Sequence, residues 1–369
     1  MVLSQGGRQQ WRPTSPVFRE HALALVEKIA GRYSDHPALI AWHINNELGC
    51  HNVHDYSDDA AEAFRVWLRD KYEDLDALNR AWGTAFWSQR YSDFDEIIPP
   101  RIAATENNPT QLLDFNRFSS DALRDYLRDE NEVLQRISPE IPRTTNFMVM
   151  GHTSEMDYAT WTGDVDFISN DHYLLPARDA IEELSFSAAR CGSLAEHKPW
   201  WLMEHSTSAV NWRDVNPPKR KGEMARDALT HVAHGADAVC FFQWRQSIAG
   251  SERFHAAMVP HAGAESRVFG DVSELGEALK NLAPIVGSEF LPAQVAVILD
   301  YESWWASSQP FLPSSLINHH ALTLDWYTAL LDTGVRVDVV GPEADLAFYK
   351  VVVAPLLHMV PAALASRIT

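Results

Sequence analysis

Ala38-Leu-Ile-Ala-Trp-His-Ile-Asn-Asn-Glu-Leu-Gly49 is the stretch on which the fold reading turns. Its apolar run, Leu39 to Ile44, has the length and composition of a buried strand, and it stops abruptly at Asn45, Asn46 and Glu47. The same design recurs downstream in Trp200-Trp-Leu-Met-Glu-His-Ser206, where Glu204 closes the apolar run. Further strand candidates lie at Arg143–Val149, Val165–Ser169 and Ala238–Phe242. Polar residues mark the ends of all five: Asn45-Asn46-Glu47, Thr145-Asn146, Asn170-Asp171-His172, Glu204-His205-Ser206 and Gln243.

Helices separate these strands. Leu23, Val26 and Ile29 share one face of a helix over Phe18–Arg32, and Ala61, Phe64, Trp67 and Leu68 do so over Asp58–Tyr72. A short helix, Leu75–Trp82, is closed by Gly83. A long one, Pro109–Arg136, carries Leu112, Phe115, Phe118, Leu123, Tyr126 and Leu127 on its apolar face. Two more are expected over Pro176–Cys191 and from Pro217-Pro218 to about His234, and Phe86–Arg101 reads as a long functional loop. Helix and strand alternate without hairpin turns, which means parallel strands joined by helical crossovers. An open doubly wound sheet is the competing architecture, but no Gly-rich phosphate turn follows any strand. The expected fold is therefore α/β, a (β/α)8 TIM barrel, with its active site at the C-terminal strand ends.

After about Pro284 the pattern changes to a small open α/β sheet, with strands at Gln294–Leu299, Arg336–Val340 and Val351–Pro355 and a helix over Ile317–Leu331. Residues 1–284 and 285–369 are thus expected to be two domains. Only four or five barrel strands, equivalent to strands 4–8, precede the boundary, where a closed barrel needs eight. The expectation is a fragment that lacks its first barrel strands and its C-terminal part, and that alone folds poorly or is inactive.

Composition narrows the function. A formal net charge of −19 disfavours nucleic acid and anionic membranes as partners. Three scattered cysteines make no disulfide framework, and no signal segment or 18-residue apolar run occurs, so a cytoplasmic location is expected. The 13 Trp matter because several fall beside the polar strand ends, where flat rings can stack on sugars. Two carboxyl groups held about 5–5.5 Å apart are what retaining glycoside hydrolysis requires. Glu47 and Glu204, each ending a strand, are the candidates. A zinc hydrolase is disfavoured because neither HExxH nor paired cysteines occur.

Trp42-His-Ile-Asn-Asn-Glu-Leu-Gly-Cys-His51, Trp201-Leu-Met-Glu-His-Ser206 and Phe241-Phe-Gln-Trp244 resemble the motifs of glycoside hydrolase family 42, β-galactosidases with catalytic glutamates on barrel strands 4 and 7. The resemblance runs along nearly the whole chain. It implies a retaining β-galactosidase acting on β-galactosides or galacto-oligosaccharides without a cofactor, with Glu47 as acid/base, Asn46 on the sugar 2-hydroxyl and Glu204 as nucleophile. It also implies galactose-binding roles for Arg8, Trp212, Glu252 and His255, with Phe242 and Tyr173 lining the pocket. The second domain would be the start of a flavodoxin-like domain through which the family forms homotrimers.

Each of these residues also has a plain reading. Arg8 could be a solvated arginine, Trp212 a loop anchor, and Glu252 with His255, spaced i,i+3, an exposed salt-bridge pair. Many relatives carry a zinc-binding Cys cluster after the acid/base motif. Here Cys50 stands alone, with Asp55, Ser57 and Ala60 where further cysteines would fall, so no metal is expected. His51 and His54 read as surface or pocket-rim residues. The alternatives are a glycosidase of the same clan with another sugar preference, and an inactive truncated remnant that only binds sugar.

Overall fold

The computed structural model describes residues 8, 11–151, 153–174 and 180–368. In chain order its strands are β1 (Trp42–His43), β2 (Arg143–Thr144), β3 (Asn146–Phe147), β4 (Ser169–Asp171), β5 (Trp200–Glu204), β6 (Ala236–Val239), β7 (Val295–Ile298), β8 (Val337–Val340) and β9 (Val351–Val353). The chain forms two compact units. The first comprises Met1–Arg143, Ser154–Asp157 and Tyr301–His319; the second comprises Thr144–Thr153, Tyr158–Asp300 and His320–Thr369.

In the first unit, local chemistry sets the helix ends. The Ser57 hydroxyl accepts the Ala60 N–H and Asp58 and Asp59 fill the first turn of Asp58–Tyr72, where anionic groups complement the helix dipole. Asp74 caps Leu75–Trp82 through the Ala77 N–H, and Gly83, at φ 63°, ends it in the left-handed conformation. Phe64, Leu68, Leu78, Trp82, Ile97, Phe115 and Phe118 form the core between these helices and Pro109–Ile137. Asp114 is buried beside that core. It accepts bonds from Lys71 Nζ (2.8 Å), Tyr72 Oη (2.6 Å), Trp82 Nε1 (2.8 Å) and Arg117 Nη1 (2.7 Å). Burial works to raise its pKa, but the Lys71 ammonium and these hydrogen bonds outweigh it and hold the carboxyl below the usual range.

In the second unit, β3, β4, β5 and β6 lie side by side in sequence order, all parallel. Helix Ala180–Leu194 follows β4, Glu223–Ala233 follows β5 and Arg267–Asn281 follows β6. These are consecutive β/α units of a partial TIM barrel. A separate parallel sheet, in the order β8-β7-β9, has helix His319–Leu331 between β7 and β8 and forms the flavodoxin-like segment.

Some elements differ from the sequence reading. The Leu39–Ile44 run is a strand only at Trp42–His43; the Leu39 N–H turns back to His36 O and Ile40 is 70% exposed. The strand expected at Val165–Ser169 is β4 instead, so polar residues assigned to its end form the strand itself, with Asn170 and Asp171 fully buried. The Ala238–Phe242 strand begins and ends earlier, as β6. The helix after Pro217-Pro218 starts only at Glu223, because Gly222 at φ 87° lies outside helical space. The helix expected from Pro176 is seen from Ala180, and residues 175–179 lie outside the described ones. Among the described residues no helix is long and apolar enough to cross a membrane.

Candidate active site

The first unit presents Glu47 on a constrained turn. Asn45 (φ 55°) and Glu47 (φ 47°) both sit in left-handed backbone space, which side-chain-bearing residues rarely adopt. Asn45 is suited to it because its amide bonds locally: Oδ1 accepts the Asn46 N–H (2.8 Å). Its Nδ2 donates to Tyr126 Oη (3.1 Å) and Glu130 Oε2 (3.3 Å), and Tyr126 in turn donates to Glu130 Oε1 (2.7 Å). Burial pushes the Glu130 carboxyl above its ordinary pKa. Gly49, at φ 88°, lies so close to Met156 that a Cβ would collide with its sulfur, and it would press tightly on Leu123. Glu47 is buried, and the Arg8 guanidinium donates to its Oε2.

The second unit presents Glu204 at the end of β5. Tyr173, which follows β4, donates its hydroxyl proton to Glu204 Oε2 at 2.5 Å. The same tyrosine ring meets Trp212 edge-on (centroids 4.9 Å) and His255 edge-on (5.9 Å). Trp212 stacks on His255 (5.1 Å), and Phe242 meets that imidazole edge-on (5.0 Å). Tyr173, Trp212, Phe242 and His255 thus form one aromatic wall next to Glu204. Trp212 is 51% exposed and offers the open face.

Glu252 joins this wall through the backbone, with its carbonyl accepting the His255 N–H (3.1 Å), rather than as a side-chain salt bridge. Its Oε2 and His255 Nε2 are buried without a hydrogen-bond partner among the described residues. Burial lowers the His255 pKa, against opposing pulls from the Ala256 carbonyl and Glu252, which favours a neutral ring.

Asn46 is half-buried between the two left-handed residues. His51 is exposed, but His54 is no surface residue: it stacks on Phe115 (5.3 Å), bonds to Ser119 Oγ (2.9 Å), and burial lowers its pKa to about 4.

Three residues that pattern reading passes over belong with the site. Asp171 pairs in register with Glu204, has an oxygen within 4.8 Å of that carboxylate, and accepts from Asn146 Nδ2 (2.5 Å). Its signal was a carboxylate inside a polar strand. Tyr126 and Glu130, which hold Asn45, lie on a helix whose apolar stripe hides the tyrosine among core residues, and only a contact across the chain reveals them.

Comparison with known proteins gives this geometry a context. The "Beta-galactosidase" family model, glycoside hydrolase 42, matches residues 1–282, and the "Beta-galactosidase trimerisation domain" model matches residues 293–369. The chain is 47% identical over 367 residues to a β-galactosidase of Bifidobacterium bifidum, covering 98% of this chain and 53% of that protein. It is 49% identical over 368 residues to one of an Arthrobacter species, covering 100% and 53%. The crystal structure of a β-galactosidase from Bacillus circulans superposes with a TM-score of 0.93 at 37% identity, covering 99% of this chain and 54% of that one. The chain spans about half the length of the curated relatives it matches.

Proposed function

Since the chain belongs to glycoside hydrolase family 42, whose model matches residues 1–282, we propose that it carries the catalytic apparatus of a retaining β-galactosidase that cleaves terminal β-D-galactosides. The observation that carries this reading is Tyr173–Glu204: a carboxylate at a strand end, held by a phenol and flanked by an aromatic wall with buried polar groups.

In this reading Glu204 attacks the anomeric carbon while Glu47 protonates the departing oxygen. A glycosyl–Glu204 ester results. Glu47, now a carboxylate, then takes a proton from water, which attacks the anomeric carbon and releases galactose with its configuration retained. The Tyr173 bond at Glu204 Oε2 orients the carboxylate for attack. Arg8 donates to Glu47 and, as a fork of N–H donors, suits a sugar hydroxyl as well. Asn46 takes the 2-hydroxyl, Trp212 stacks on the sugar face, Glu252 and His255 grip hydroxyls, and Tyr173 and Phe242 close the pocket. No cofactor enters this chemistry.

Residues 1–284 and 285–369 serve as catalytic domain and start of the trimerisation domain, a division supported by the two family models. We further propose a homotrimeric state, which the trimerisation-domain model supports, and a cytoplasmic location.

A 2-deoxy-2-fluoro-galactosyl reagent tests the reading. It forms the ester but slows its hydrolysis, so peptide mapping is expected to find one adduct, on Glu204. An adduct on another carboxylate overturns the assignment of the nucleophile. Glu204→Ala is expected to lower kcat by about four orders of magnitude, as for other covalent nucleophiles.

A further inference from the structure

Next to Glu204 in the chain the second unit buries a polar chain that the mechanism above does not use. His205, the next residue, is fully buried, and its Nδ1 donates to the His172 carbonyl (2.7 Å). The His172 N–H donates back to the Glu204 carbonyl (2.9 Å). These two bonds lash the end of β4 to the end of β5, one residue before Tyr173 on one strand and at Glu204 on the other. The Tyr173–Glu204 contact therefore depends on a proton being on His205 Nδ1.

The His172 carbonyl can only accept, and Lys219, on the other ring nitrogen, reinforces the same tautomer. Its Nζ hydrogen-bonds His205 Nε2 (2.9 Å) and the Ser206 carbonyl (2.9 Å) and forms an ion pair with Asp227 Oδ2 (3.1 Å). An ammonium has donors only, so Nε2 must offer a lone pair and Nδ1 must keep the hydrogen. Asp227, itself fully buried and gripped by Arg226, fixes the far side of the lysine.

His172, His205 and His231 do bring ring nitrogens within 4.8 Å of one another. A metal there would need the lone pair that Lys219 occupies and would face its positive charge.

We propose that Lys219 is a positioning residue for Glu204, acting by reinforcing the His205 tautomer that ties β5 to β4. The proposal rests on the reading of Glu204 as nucleophile.

The test uses the full-length protein and the rate at which the 2-fluoro-galactosyl reagent labels it. Labelling of the unsubstituted protein on Glu204 secures the premise; labelling elsewhere ends the functional reading itself. With the premise secured, Lys219→Met is expected to slow labelling at least tenfold while inhibition by galactose changes less than threefold. Lys219→Arg, which keeps a cationic donor, should stay within threefold of wild type. His205→Asn offers an amide N–H in place of Nδ1–H whatever Lys219 does. In that background, adding Lys219→Met should cost less than twofold. An unchanged labelling rate in Lys219→Met, or an equal loss in both backgrounds, overturns the proposal. If Lys219→Met does not fold, His205→Asn and His205→Ala decide: the proposal stands if only the alanine slows labelling, and falls if both slow it equally.

Discussion

Asn45 shows how much of a site can rest on a residue that touches no substrate. Its left-handed backbone and three side-chain bonds set the turn that carries Asn46 and Glu47. Asn45→Ala keeps the strain, about 1–2 kcal/mol for a side-chain-bearing residue, and leaves the buried Glu130 without that donor. We expect a melting temperature several degrees lower and kcat reduced at least tenfold. Asn45→Gly relieves the strain but not the lost bonds, so its melting temperature should recover while kcat stays low; recovery of both would mean that the bonds to Tyr126 and Glu130 are dispensable. Glu47 has a separate chemical signature. Glu47→Ala should barely slow labelling by substrates with highly acidic leaving groups, which need no protonation, and azide should restore turnover by replacing the activated water. A uniform loss across leaving groups, without rescue, would contradict the acid/base role. Both proposed catalytic glutamates stand out in the sequence because each ends an apolar run. Asp171, Tyr126 and Glu130 do not, since each works through a cross-strand register or a distant helix that spacing along the chain does not encode.

At the scale of elements, helices were read more accurately than strands for a physical reason. Asp58–Tyr72 and Leu75–Trp82 have the boundaries the sequence implies, because a side-chain cap, an apolar stripe and, for the second, a terminal glycine all act within a few residues. In β4 the ladder partners come from elsewhere in the chain, and buried Ser169, Asn170 and Asp171 bond to Thr144, Thr145, Asn146 and Val149, so hydrophobicity is a poor guide. The Asp114 hub is an element-scale device of the same kind, joining Asp58–Tyr72, Leu75–Trp82 and Pro109–Ile137 through Lys71, Tyr72, Trp82 and Arg117. Removing one partner of a buried ionic cluster leaves the others uncompensated, so Asp114→Ala should cost about 3–5 kcal/mol. Trp82→Phe loses one neutral donor to the same carboxylate and should cost about 1–2 kcal/mol. Urea unfolding of the two variants checks the order, and equal losses would show that the ring packing, not the charge, holds these helices.

For the whole molecule, the count of 16 histidines in the sequence says nothing about how acid affects stability; their burial does. Burial lowers His54 in the first unit and His234 in the second to about 4, and holds His205 and His231 well below the ordinary imidazole value. Each is neutral when folded and titrates near 6.5 when unfolded, so between those values the unfolded chain binds more protons. Stability is then fully present above about pH 6.5 and is lost as pH falls, at roughly 1.4 kcal/mol per pH unit for each such histidine until its folded pKa is reached. Asp114, Glu183 and Asp338 also shift down, for a different reason: burial works to raise each, but ionic partners and hydrogen bonds, His172 foremost for Glu183, leave all three below the carboxylate range. Their contribution disappears only at lower pH, below the histidine window. The melting temperature should therefore be nearly flat from pH 8 to 7 and fall steeply from 6.5 to 5, before carboxylates titrate. His54→Phe keeps the stacking on Phe115 and removes one titrating ring, so it should reduce the slope by about one proton. A melting temperature that holds level down to pH 5 would mean that these imidazoles gain protons without unfolding, and that their burial is looser than the packing around Phe115 and Lys219 implies.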